Sequence, residues 1–227
     1  MTGRPRDFSV YSEIDNPTLF IAPVRRGFYR NAGKRALDVA LVLAAVPAVL
    51  PVVVLCALGV MLDGGSPFYA QKRVGRGGGL FRMWKLRTMV PDADRKLQQY
   101  LANNPEARSE WEVMQKLRND PRVTRFGLIL RRLSLDELPQ LWNVVRGDMS
   151  LVGPRPMMPD QQPLYPGHAY YLLRPGLTGS WQVSDRNASS FAARASHDDA
   201  YERHVTLPTD IQIMLATVRV VLRATGC

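Results

Sequence analysis

Two adjacent acids, Asp136 and Glu137, stand in the stretch RRLSLDELPQLWNVVRGDMSLVGPRP, just downstream of Arg131 and Arg132. An ionised carboxylate beside fixed guanidiniums can attack an electrophilic phosphorus and can also hold a divalent cation. The same spacing has a purely structural reading. Ser134-x-x-Glu137 matches a capping box, in which the serine hydroxyl accepts from a first-turn amide and the glutamate reaches back to the serine amide. Acids in a first turn also suit the helix dipole. The two readings are compatible, because a cap that orients Asp136 also presents it. Nearby arginines and a helix start would both lower the Asp136 pKa and keep it ionised.

Other cations are placed where a phosphate could meet them. Arg155 lies between two prolines in GPRP, so its backbone is stiff, and a guanidinium there can meet an anion in fixed geometry. Arg174 opens a second stiff turn, RPGLTG. In KLRTM, period-two alternation puts Lys85 and Arg87 on one side of a strand, roughly 7 Å apart. That spacing suits a diphosphate; a solvated basic strand is the plain alternative. The histidines (His168, His197, His204) and cysteines (Cys56, Cys227) show no metal-ligand spacing, so a histidine–cysteine metal centre is not indicated. A magnesium ion held by carboxylates and substrate phosphates remains open.

These residues need a frame. The chain has 227 residues, a net charge of +10 and a pI near 10.1, which points to an anionic partner: nucleic acid, a membrane surface or a phosphorylated substrate. Residues 39–62 carry no charge. As one straight helix they would reach roughly 36 Å, enough to cross a bilayer. Pro47 and Pro51 fall near the middle and predict a sharp bend. Both flanks are basic, with Lys34 and Arg35 before the run and Lys72, Arg73 and Arg76 after it. Basic residues gather on the cytoplasmic side. We therefore expect a re-entrant helix–break–helix over residues 34–66 that enters and leaves by one face; a plain transmembrane helix is the alternative. Residues 1–33 are polar and aperiodic and read as a mobile extension.

Residues 67–227 read as a cytosolic, mainly helical domain. Two short strands flank the turn at Gly75–Gly79. That turn lacks the Gly-Lys-Ser/Thr ending of a P-loop and receives no nucleotide role. A surface helix pair broken at Asn104-Pro105 follows. Leu138, Leu141, Trp142 and Val145 recur at helical spacing, so a helix is expected from Ser134 to near Gly147, with its start shifted one or two residues later by Pro139. A short helix is expected over 169–173, and an amphipathic one near the C-terminus, with Ile211, Met214, Leu215, Val218, Val221 and Leu222 on one stripe. The fold class is α+β: a monotopic membrane protein with a small catalytic domain and a short β-hairpin.

Taken in order, Lys34-Arg35-x-x-Asp38, the proline-broken apolar run, FYAQKRVG, KLRTM, DPRVTRFG, LRRLSLDELPQLWNVVRGDMSLVGPRP and RPGLTGSWQV resemble the bacterial sugar transferase family, the monotopic phosphoglycosyl transferases. The resemblance covers about residues 34–226 and looks like the small, exopolysaccharide-initiating type. It implies transfer of a sugar-1-phosphate from a UDP-sugar to undecaprenyl phosphate at the cytoplasmic face of the bacterial inner membrane. UMP is released, and UDP-galactose or UDP-glucose is the guessed donor. The resemblance makes Asp136 the nucleophile that forms a phosphosugar–enzyme intermediate and Glu137 its partner, with Mg²⁺ required and Asp136 as its protein ligand. It assigns phosphate-binding cations to Lys85, Arg131, Arg155 and Arg174, head-group contact to Lys34 and Arg35, and a cation-pairing or capping role to Asp38. A sugar or nucleotide loop falls on Gln182, Asp185, Arg186 and Asn187. The chain departs from the family pattern at the helix break, where Leu50-Pro51 replaces Ser-Pro and Pro47 is added. It departs again at Ser184-Asp185-Arg186-Asn187, where many members read Ser-Gly-Arg-Asn. A membrane-bound homodimer is compatible with this reading. The rivals are a basic nucleic-acid-binding protein, which lacks any helix-turn-helix, zinc-finger or RNA-binding signature, and an inactive membrane scaffold.

Overall fold

Alanine, valine and leucine with no charge between residues 39 and 62 leave an isolated helix few alternatives in an apolar setting. The computed structural model, which describes residues 27–114, 117, 119–184 and 191–222, forms one helix there, α1 (Lys34–Leu62). It stays helical through both Pro47 and Pro51, so the expected interruption between two helices is absent. Each proline removes only one amide donor, and the neighbouring bonds of a long apolar helix keep the turns in place. The segment before it also differs from expectation. Tyr29–Gly33 form a helical turn continuous with α1, anchored by Tyr29 to Asp210 and by Arg30 to Glu202. The rest of the expected extension, residues 1–26, lies outside the described residues.

Burial along α1 is uneven. Asp38 and Val42 near its start, and Cys56, Ala57 and Val60 near its end, are buried, whereas both prolines and most side chains between them are exposed. Val42 packs with Met83, Val144 and Met149, while Cys56, Ala57 and Val60 pack with Leu86 and Leu130. Burying each of the two valines contributes about 1.5–3 kcal/mol. Phe126 lies so near that a Cβ on Gly59 would meet its ring at 2.6 Å, so the glycine lets the ring seat on α1.

The hairpin appears as expected. Strands β1 (Phe68–Val74) and β2 (Leu80–Leu86) pair antiparallel, with Tyr69 opposite Lys85 and Arg73 opposite Phe81. The surface pair is α2 (Ala93–Asn103) and α3 (Pro105–Met114). Helix α4 (Arg125–Arg132) follows, capped by the Thr124 hydroxyl accepting from the Gly127 amide. Helix α5 (Gln140–Arg146) begins only after Pro139 and ends on Gly147, whose φ of 92° suits glycine. Buried Asn143 of α5 serves the free edge of β2: its Oδ1 accepts from the Trp84 amide, and its Nδ2 donates to the Arg82 carbonyl.

Several short elements escaped the sequence reading, α4 among them. RPGLTG is not a turn: β3 (Ser150–Val152) and β4 (Gly176–Thr178) pair in parallel, with the short helix α6 (Ala169–Leu172) in the connection between them. Strands of three residues carry too little period-two pattern to be seen. The two backbones approach so closely that a Cβ on Gly176 would lie 2.2 Å from the Gly153 nitrogen. The chain continues through α7 (Ser180–Val183) and α8 (Arg194–Arg203), neither of them foreseen, to α9 (Leu207–Leu222). Tyr201 and Ile213 of these last two helices pack with Val152 and Leu173. The architecture is helix-dominant with short sheets, and α1 is long and apolar enough to cross a membrane.

Candidate functional site

Asp136 and Glu137 do not sit in the first turn of an α-helix. They occupy a 3₁₀ turn, Leu135–Glu137, closed by the Leu138 amide donating to the Leu135 carbonyl. Ser134 makes no side-chain cap and adopts φ 56°, so the expected capping box is not formed. The cause is Pro139, which cannot donate to a helical carbonyl and would clash with the preceding turn. The chain therefore turns tightly before the proline and starts α5 after it. The left-handed Ser134 costs roughly 1–2 kcal/mol and sets the direction in which the acids leave α4.

The acids differ in setting. Asp136 is buried and Glu137 half-buried. Lys85 Nζ lies 2.7 Å from a Glu137 oxygen and 3.8 Å from Asp136 Oδ2. Burial pushes the Asp136 carboxyl above its ordinary range; Lys85 pulls it down, Glu137 pushes it up, and Arg131 pulls it down. The balance is upward, which corrects the expected lowering: desolvation outweighs two cations that are near but not hydrogen-bonded to it. Arg131 is held by Nε donating to the Thr88 hydroxyl at 2.8 Å. The Asp120 carboxylate, itself bound by Arg122, adds negative charge nearby.

Lys85, Glu137, Arg155 and Gln182 line one groove, together with Arg73 and Gln140. Arg73 and Gln140 were missed. Cross-strand pairing could have found Arg73, since partners across a hairpin share a face and Tyr69, Gln71 and Arg73 pair with Lys85, Met83 and Phe81. Burial and the neighbouring Arg155 push the Arg73 guanidinium down to about 10. The same two causes act on Arg194 of α8, also pushed down to about 10. Three guanidiniums thus crowd one place, where an anion would relieve them. Gln140 Nε2 and both polar atoms of the Gln182 carboxamide are buried without a protein partner.

The remaining candidates lie elsewhere. Strand β2 ends at Leu86, and Arg87 instead donates from Nη2 to the Val60 carbonyl at 3.1 Å, near the C-terminal end of α1, where a cation suits the helix dipole. The expected Lys85–Arg87 diphosphate pair is therefore not formed. Arg174 donates from Nε to the Gly147 carbonyl and lines a different cavity. Lys34 and Arg35, expected to face lipid, bind protein groups: Lys34 pairs with Asp210 at 2.6 Å, and Arg35 donates to the Val144 and Val145 carbonyls of α5. Asp38 forms no salt bridge among the described residues, although the Lys34 charge acts on it; it accepts from the Ser150 hydroxyl at 2.6 Å and the Leu151 amide at 3.2 Å. These residues stitch the start of α1 to α5, β3 and α9. Asp185, Arg186 and Asn187 lie outside the described residues.

With this geometry in place, comparison with known proteins gives one family. Residues 29–224 match the model of the bacterial sugar transferases, and the chain belongs to that family; it is a transferase. It is 44% identical over 215 residues to the exopolysaccharide production protein ExoY of Sinorhizobium fredii, covering 92% of this chain and 95% of that protein. It is 45% identical to the UDP-galactose-lipid carrier transferase of Erwinia amylovora and to the undecaprenyl-phosphate galactose phosphotransferase of Salmonella typhimurium. In both cases the match takes in 85% of this chain but only 41% of the larger relative.

Proposed function

We propose that this enzyme transfers a sugar-1-phosphate from a UDP-sugar to undecaprenyl phosphate at the cytoplasmic face of the bacterial inner membrane, as the first membrane step of exopolysaccharide synthesis. The observation that carries the reading is the buried Asp136, 3.8 Å from Lys85, beside a groove lined by Lys85, Arg73 and Arg155. In the first step an Asp136 carboxylate oxygen bonds to the phosphorus that carries the sugar, and the bond from that phosphorus to the bridging oxygen breaks, releasing UMP. In the second step an oxygen of the lipid phosphate bonds to the same phosphorus, and Asp136 leaves as a carboxylate. Lys85, Arg73 and Arg155 meet the phosphoryl charge that grows during each displacement. Glu137 holds Lys85 between the two acids.

Magnesium fits the donor set. Such an ion takes one or two protein carboxylates and completes its shell with phosphate oxygens and water, so Asp136 and Glu137 suffice, and no cluster of three acidic, histidine or cysteine ligands exists among the described residues. When bound it would supply neutralising charge to the diphosphate. The seating of both ends of α1 on one body, with its prolines exposed between them, supports an α1 held on one side of the membrane, as one continuous helix, over a spanning one. The names of the two larger relatives favour galactose as the sugar. The test is direct: full-length protein, Mg²⁺, undecaprenyl phosphate and a panel of UDP-sugars, with UMP release measured. Release with one donor supports the reading; none with any donor returns the field to a scaffold.

A further inference from the structure

The groove beside Glu137 has two kinds of polar lining. Arg73, Lys85 and Arg155 carry positive charge, and Glu137 answers Lys85. Gln140 and Gln182 are neutral, and they are more deeply set, at 2% and 8% exposed. Gln140 Nε2 and both Nε2 and Oε1 of Gln182 are buried with no protein partner. A buried polar group without a partner is destabilising, and a binding site is where a chain keeps one, because a ligand completes it. The local structure makes room for both side chains. A Cβ on Gly179 would lie 2.7 Å from Gln182 Oε1, so the glycine lets the carboxamide lie against the backbone that leads into α7. Gln140 opens α5 directly after Pro139. The proline that confines the two acids to a tight turn therefore also delivers this side chain to the groove, four residues beyond Asp136.

The chemistry of the fitting partner follows from the two kinds of lining. Phosphate oxygens go to the cations, which bind them by charge. A carboxamide offers a donor and an acceptor side by side, and it suits a neutral group that presents the same pair in reverse, such as two neighbouring hydroxyls of a pyranose ring. The imide edge of uracil presents such a pair too. Position decides between them. In a UDP-sugar the hexose hangs on the phosphorus that Asp136 attacks, whereas the uracil is removed from it by the second phosphate and the ribose. A side chain within about one helical turn of the dyad, in the groove that holds Lys85, meets the hexose first. We propose, resting on the transfer reading above, that Gln140 and Gln182 form the subsite that reads the hydroxyls of the donated hexose and so sets which sugar is accepted. Gln140 thereby gains a role in substrate choice, and Gln182 belongs to the sugar end of the donor, not the nucleotide end.

The test reads binding and turnover separately. UDP-galactose, UDP-glucose, the analogues of each that lack one sugar hydroxyl in turn, and UMP are titrated by calorimetry into full-length Asp136→Asn protein, which does not turn the donor over. The titrations are repeated with Gln140→Leu or Gln182→Leu added, and UMP release is followed with wild type. For the preferred donor, at least one deoxy analogue should bind roughly 10²-fold more weakly than its parent, because it leaves a buried carboxamide unpaired. In the leucine variants that ratio should shrink by about tenfold, while UMP binds as before. The melting temperature should not fall, since an apolar side chain leaves nothing unpaired. A series in which no deoxy analogue loses more than about threefold would overturn the subsite without recourse to the glutamine variants. Lower melting temperatures with the ratio intact would make the glutamines structural and overturn it as well. Weakened UMP binding with the ratio intact would move them to the nucleotide end. Ratios that behave as expected while wild type releases no UMP would uphold the subsite and sink the transfer reading instead; no binding of any donor would sink both.

Discussion

At the scale of single residues, two neighbouring carboxylates have been given unequal tasks by unequal burial. Asp136→Asn keeps the shape of the side chain but removes the nucleophilic oxygen; turnover should fall by about 10³-fold or more, with an unchanged melting curve. The pH profile should reflect the local charges. Asp136 attacks only when ionised, and burial raises its pKa, so the acidic limb of kcat/KM should lie above the ordinary carboxylate range and activity should rise as pH increases through it. Lys85→Gln removes a charge that pulls this pKa down, and the limb should move to higher pH. Glu137→Gln removes a charge that pushes it up and frees Lys85 for Asp136, so the limb should move to lower pH. Limbs that shift in the same direction in both variants would refute the assignment. Asp198 gives a separate test, of stability. Burial raises its carboxyl to about 7, although it accepts from the Tyr165 hydroxyl at 2.8 Å and lies near Arg194. Between the unfolded value near 4 and about 7 the folded state keeps a proton that the unfolded chain has lost, so stability should fall as pH rises through that window. Asp198→Asn should flatten the decline, as read by melting temperature against pH.

At the scale of elements, legibility followed the length of the pattern. The β-hairpin, the pair α2 and α3, and α9 each carry a full period of alternation or helical spacing, and each stands where the spacing put it. The parallel pair β3 and β4 does not, because three-residue strands are specified by contact rather than pattern. Gly153 and Gly176 were visible only as turn formers, whereas their task is to let two backbones touch. Gly176→Ala should therefore destabilise the domain by about 3 kcal/mol, the upper end for overpacking, measured by chemical denaturation. The Ser134 capping motif is overridden by Pro139. A proline five residues on forces the tight turn that leaves Asp136 and Glu137 outside α5.

For the whole molecule, the sequence revealed the acids and most of the cations but not their division between two places. Lys85 and Arg155 share the groove and Arg131 flanks Asp136, while Arg174 joins Arg76 in a cavity at the base of α1. That division depends on α1 docking through Lys34, Arg35 and Asp38, contacts between residues more than a hundred positions apart that no local pattern records. Exposed Leu128 and Ile129 of α4, Trp142 of α5 and the stripe on α9 add to the apolar face of α1 a broad surface of the kind that lies on a bilayer. Cysteines placed at residues 31 and 64 should both react with an impermeant thiol reagent from the cytoplasmic side only; labelling from opposite sides would make α1 a spanning helix. The central claim, that Asp136 takes up the phosphosugar, is tested most directly by a single turnover without lipid acceptor. Mixing enzyme, Mg²⁺ and the active UDP-sugar should release UMP in proportion to enzyme and leave a sugar-phosphate adduct on the peptide containing Asp136, seen by mass spectrometry. UMP release that requires undecaprenyl phosphate, with no adduct on that peptide, would contradict it.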